Sequence, residues 1–145
     1  MRIDPVFQKT YPKLSSWIQA NLPKVKVKPK VWNAFKKYSE LKEPSATWAI
    51  TNGYNPDITY AVMPGSNGRF NGGKFPNRVY LAKSICDRFE SVDFSNPLMH
   101  LLLESTILHE MVHWGDHKDG KDQAGEEGKA FEVAAYGKNI NRYWR

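Results

Sequence analysis

With 145 residues, 41% of them apolar and 25% charged, the chain is sized for one domain that buries roughly 70% of its unfolded surface, which excludes a disordered tail or a collagen-like fibre. No run approaches the roughly 18 to 20 apolar residues of a membrane span, and Met1 to Lys9 carries charges and Pro5 where a signal peptide would hold its apolar core, so a soluble chain is expected. A net charge of +6 admits nucleic acid, anionic lipid or an acidic protein as partner, and the single cysteine, Cys86, cannot close an internal disulfide.

In chain order, Ser15 or Ser16 is placed to cap a helix that runs to about Leu22, where Pro23 stops it. Lys24, Lys26, Lys28 and Lys30 then alternate with Val25, Val27 and Pro29, the pattern of a solvated edge strand, with a polyanion-binding stripe as the sharper reading. Pro29 opens a second helix in which Val31, Phe35, Tyr38 and Leu41 bury one stripe, and Glu43 with Pro44 ends it. Three short strands are predicted next, Ala46 to Thr51, Ile58 to Met63 and Arg78 to Leu81, with Asn52-Gly53 as a turn after the first. Between the last two lies a glycine-rich loop, Pro64 to Pro76. Leu81 to Glu90 reads as helical, and Ser95 with Pro97 opens a longer helix to about Trp114, broken by Gly115. A last helix is predicted from Gly125 to about Tyr143. Helices, a small sheet, then helices make an α+β fold.

The chemistry concentrates in His109-Glu110-Met111-Val112-His113 on the long helix. Four residues make about 400° of turn, so both imidazoles stand on one face and can share a tetrahedral ion. Glu110, about 100° round, reaches a water on that ion rather than the ion itself, as a zinc hydrolase requires. A chance pair of histidines is disfavoured by Leu98, Leu101, Leu102, Leu103, Ile107 and Leu108, which make the helix a buried one where imidazoles and a carboxylate are costly without partners.

A catalytic zinc wants a third protein ligand and one open position. His117 lies one turn past His113, but Gly115 intervenes. Asp119 has the spacing of a metzincin third ligand, but Asp116 stands where that motif wants Gly. Glu126 and Glu127 fall in the first turn of the last helix, where acids are expected for capping and dipole reasons. Glu132 is far enough past His113 for the chain to turn and return, and Gly128 and Ala135 beside it are small enough for close helix packing. Glu132 is therefore the predicted third ligand and Glu127 the next. For the oxyanion, Tyr136, His117 and Arg142 are candidates, with Tyr136 equally readable as a core residue. Gly68 to Lys74 reads G-x-x-x-x-G-K, but Phe75 and Pro76 replace the hydroxyl and the helix start of a phosphate loop.

His109 to His113 with a downstream glutamate resembles the gluzincin type of zincin metallopeptidase. The longer strings HEMVHWGDHKDG over 109–120 and EEGKAFEVAAYG over 126–137 resemble the metallopeptidase toxin 3 domains at the C-terminal ends of bacterial polymorphic toxins. The likeness is specific over about residues 97–140 and loose upstream. It implies one zincin-like domain over 1–145, with N-terminal helices, a small mostly antiparallel sheet, an active-site helix and a C-terminal helix giving the third ligand. The edge strand beside the active-site helix, 78–81 here, would bind an extended peptide. The likeness also implies Zn2+, a protein or peptide substrate, a secretion-system carrier, delivery into a target cell and a cognate immunity protein.

The expected activity is thus a zinc-dependent endopeptidase with His109, His113 and Glu132 on the metal and Glu110 as general base. Two alternatives stand beside it. One is a basic nucleic-acid-binding module with structural zinc, which a chain with one cysteine fits poorly, since structural sites are usually closed by four ligands and Cys-rich. The other is a protease that acts on DNA-associated protein. Nucleic acid is not the expected partner, because the five tryptophans are scattered without basic interleaving.

Overall fold

Prolines set much of the architecture, because each fixes φ and gives up an amide that a first helical turn leaves unbonded anyway. The computed structural model describes residues 1–118 and 126–144. After a short strand β1 (Arg2–Ile3), prolines open α1 (Pro5–Thr10), α2 (Pro12–Asn21), α3 (Pro29–Ser39) and, at its second residue, α4 (Glu43–Ala49). Strands β2 (Asp57–Ala61), β3 (Gly68–Phe70) and β4 (Arg78–Ala82) follow, then α5 (Lys83–Arg88), the long α6 (Pro97–Lys118) and α7 (Glu127–Tyr136).

Two segments expected as strands are helical instead. The residues expected as a first strand, 46–51, fall largely in α4: Pro44 starts a helix rather than ending one, and Ala46, Ala49 and Ile50 are buried at i, i+3 and i+4 spacing. The alternating lysine row is a 3-10 turn over Leu22–Val27, not an edge strand. Leu22 and Val25 bury three apart while Lys24 and Lys26 face outward.

The sheet is mixed, in the order β1-β2-β4-β3, which corrects the expected mostly antiparallel arrangement. β1 and β2 are parallel because four helices carry the chain from the C-terminal end of β1 across to the end of the sheet where β1 began. β2 and β4 are also parallel, with Ile58 beside Val79 and Tyr60 beside Leu81. Only β3 runs antiparallel, against β4. The second correction follows from this order: 78–81 is an interior strand, and the edge on that side is β3, inside the segment expected to be loop.

α6 packs across β3 and β4 and receives α3 and α7 on its other flanks. It runs straight through Gly115 because a side chain there has no room: a Cβ would lie 2.8 Å from the Ser39 carbonyl oxygen at the end of α3. Asn96 caps the helix, its side-chain oxygen accepting the Leu98 amide at 2.9 Å. α7 is shorter than predicted, since Gly137 turns left-handed at φ 83° and closes it with a bond from its amide to the Val133 carbonyl.

Candidate metal centre

The middle of α6 is buried on nearly every side, so His109, Glu110 and His113 are polar groups in an apolar helix and must find partners nearby. They find them on α7 and just before it. Glu126 Oε1 lies 2.6 Å from His113 Nε2 and 3.5 Å from His109 Nε2. His109, His113 and Glu126 form a group whose donor atoms all fall within 4.8 Å of one another. Gly128 makes this possible. A Cβ at that position would come within 2.3 Å of His109 Nε2, so only glycine lets the start of α7 rest on the imidazole and hang Glu126 over both rings. Glu126 also serves as the N-cap, accepting the Gly128 amide at 3.2 Å.

Glu132, the predicted third ligand, takes the opposite nitrogen of the same ring. Its Oε2 accepts from His109 Nδ1 at 2.5 Å and its Oε1 accepts the Ile140 amide at 2.8 Å, so it lies outside the group that shares Glu126. Glu127 lies behind the second ring, with Oε2 3.6 Å from His113 Nδ1. His117 stays on the same face of α6 one turn on, edge-on to Phe70 at 5.6 Å and pressed over Gly72, but outside the donor group. Asp119 lies outside the described residues. Tyr136 points away: its hydroxyl donates to Glu104 Oε2 at 2.8 Å, and Lys28 Nζ donates to the other oxygen at 2.6 Å. Arg142 holds the chain ahead of β3, through Asn67 Oδ1 and the Ser66 carbonyl, both at 2.8 Å. His100 is remote, stacked on Trp17.

His109, Glu110, His113, His117, Glu126 and Glu132 line one cleft of about 1000 Å³. α6 supplies the floor, 66–70 one wall, and Glu126, Lys129, Glu132 and residues 139–141 the other. β3 touches the floor at Gly68, where a Cβ would fall 2.9 Å from Glu110 Cγ. The electrostatics are strongly coupled. Burial depresses the pKa of His109, but the Glu132 hydrogen bond and the charges of Glu110 and Glu126 outweigh it and hold it above the ordinary value. Burial raises the pKa of Glu110 against the pull of the two imidazoles. Glu126, where burial is outweighed by the charges of His113 and His109, is held below the usual carboxylate range.

The family model described as metallopeptidase toxin 3 matches residues 7–137. The chain belongs to this family. The match reaches far upstream of the helix-borne motifs, from within α1 to the end of α7, and the α+β fold is consistent with a metallopeptidase toxin domain. No curated protein and no solved structure matches the chain. No helix among the described residues is long and apolar enough to cross a membrane.

A metallopeptidase toxin needs a metal ion, and the donors present fit one. Two imidazoles and one carboxylate converge, the donor chemistry that suits a borderline divalent cation. Sequence reasoning weighed Glu126 only as a helix cap. It is a cap, and the same oxygen also meets both rings; the signal that joins the two roles is Gly128, two residues on.

Proposed function

We propose that this metallopeptidase toxin domain is a zinc-dependent endopeptidase of the HExxH, gluzincin type, with the ion held by His109, His113 and Glu126. The observation that carries the reading is the convergence of both Nε2 atoms on one Glu126 oxygen, with the Glu110 carboxyl 3.8 Å from His109 Nε2 in the same pocket. Zinc there supplies Lewis acidity, which polarises a peptide carbonyl and acidifies water at neutral pH.

The residues of the chain do the rest. Glu110 is buried and its pKa is raised, which suits a carboxylate that must take up a proton and give it to a leaving amine. Glu132 fixes the His109 tautomer by accepting its Nδ1 proton, leaving Nε2 for the metal. The free edge of β3 along the cleft offers backbone groups to an extended substrate chain. With the family assignment, these features support a protein-cleaving toxin carried by a secretion system into a target cell, with an immunity protein in the producer.

Metal content and proteolysis of two variants test the reading. Glu110→Gln should keep near-stoichiometric zinc and lose proteolysis, and Glu126→Ala should lose zinc. Parent-like cleavage by Glu110→Gln would end the proposed mechanism. Parent-like zinc affinity in Glu126→Ala would end the third-ligand role proposed for Glu126.

A further inference from the structure

Glu127 is a buried acid for which the proposed reaction has no use. It is 7% exposed, its Oε1 has no hydrogen-bond partner, and its Oε2 stands 3.6 Å from His113 Nδ1. Glu104, equally buried on α6, shows what a structural carboxylate requires in this protein: Lys28 on one oxygen and Tyr136 on the other. Glu127 has no such pairing.

Its place in the fold explains the difference. Glu126 is the N-cap and Glu127 the first residue of α7, and their carboxylates meet the second ring on opposite sides, Glu126 at Nε2 and Glu127 near Nδ1. The first ring already has a carboxylate behind it, Glu132 on His109 Nδ1 at 2.5 Å. The second ring has Glu127 in the equivalent position but not yet at bonding distance. It is held instead by Glu126, at 2.6 Å from Nε2. Two donors of one tetrahedral ion stand roughly 3.4 Å apart at bond lengths near 2.1 Å. Admitting an ion therefore opens the Glu126 contact, and a ring that backs away from Glu126 closes on Glu127.

We propose that Glu127 is the positioning residue for His113, accepting its Nδ1–H so that Nε2 faces the metal, as Glu132 does for His109. The inference rests on the metal-site reading above. Glu127 is not itself a ligand, because it meets the nitrogen opposite the one that shares Glu126.

The test is zinc affinity by chelator competition at fixed pH, together with the imidazole N–H resonances of the zinc-loaded protein. Glu127→Ala should bind zinc about 10- to 100-fold more weakly, and Glu127→Gln, whose amide oxygen still accepts, should recover most of that loss. The slowly exchanging His113 Nδ1 proton should be present in the parent and in Glu127→Gln, and absent in Glu127→Ala. Affinity within threefold of the parent in Glu127→Ala overturns the inference, and so does a Glu127→Gln as weak as Glu127→Ala. If Glu127→Ala fails to fold, the Nδ1 proton in the parent decides: a rapidly exchanging proton there overturns the inference. A parent that binds no zinc defeats the metal reading, and this inference with it, whereas a zinc-binding parent beside an unaffected Glu127→Ala defeats only this inference.

Discussion

Gly128→Ala separates the packing of α7 from the chemistry it serves. Elsewhere in a helix the change would favour folding by about 1 kcal/mol through propensity. At this site the added Cβ would stand 2.3 Å from His109 Nε2, against an ordinary contact of at least 3.4 Å, so one partner must move by about 1.1 Å. Forced overpacking of this kind costs about 1 to 3 kcal/mol. Without metal the imidazole can swing aside only by giving up its Glu132 contact, so the metal-free variant should melt several degrees below the parent. With metal the ring has no such freedom, because ligand distances tolerate only about 0.2 Å. The strain then emerges as lost affinity, roughly 5- to 150-fold for about 1 to 3 kcal/mol. Zinc competition paired with thermal melts in the presence and absence of zinc would measure both quantities. Unchanged zinc affinity and unchanged melting in Gly128→Ala would show that the approach of α7 does not set the position of the ring.

Two further outcomes follow from the same geometry. Because the His109 pKa is raised in the folded state, its contribution to metal-free stability is complete below about pH 6.5 and is lost as pH climbs through the raised value; zinc, which needs the unprotonated ring, reverses the slope. The Met1 amine, lowered to about 5 by burial, acts with the opposite sign over the same range, so the comparison is the difference in urea midpoint between parent and His109→Ala from pH 5 to 8. A parent-minus-variant difference that grows with pH would contradict the reasoning. Tyr136→Phe removes the donor to Glu104 Oε2, a hydrogen bond to a charged group worth about 1.5 to 3 kcal/mol, and should lower the melting temperature by several degrees while sparing zinc affinity and turnover. An unchanged melting temperature with lost turnover would instead make Tyr136 a substrate contact.

The legible parts of the fold were those written in short-range chemistry. Helical periodicity alone carries His109, Glu110 and His113 to one end of a cleft, since i and i+4 neighbours share a face whatever the rest of the chain does. Pro29 and Pro97 mark helix starts for the same local reason. The misread segment 46–51 has strand-like composition in Thr47, Trp48 and Ile50, yet Pro44 and the burial of Ala46, Ala49 and Ile50 overrule it. β3 was invisible because three residues cannot show a period of two, and strand direction depends on what the crossovers do rather than on the strands. The carboxylate that meets both rings depends on how deeply α7 settles at Gly128, a tertiary distance. A small residue advertises close approach without giving its depth, so the place of Glu126 over both rings was not legible beside that of Glu132.

Among the described residues, the carboxylates that meet the two rings belong to α6, α7 or the residue ahead of α7, whereas β3, its approach and residues 139–141 line the cleft beside them. That division leaves the rim open to exchange without disturbing the carboxylates that face the two rings. Exchanges at the rim would retarget the blade without blunting it. Gly68 is a seam between the two halves, where a Cβ would fall 2.9 Å from Glu110 Cγ, so changes of specificity have to route around that residue.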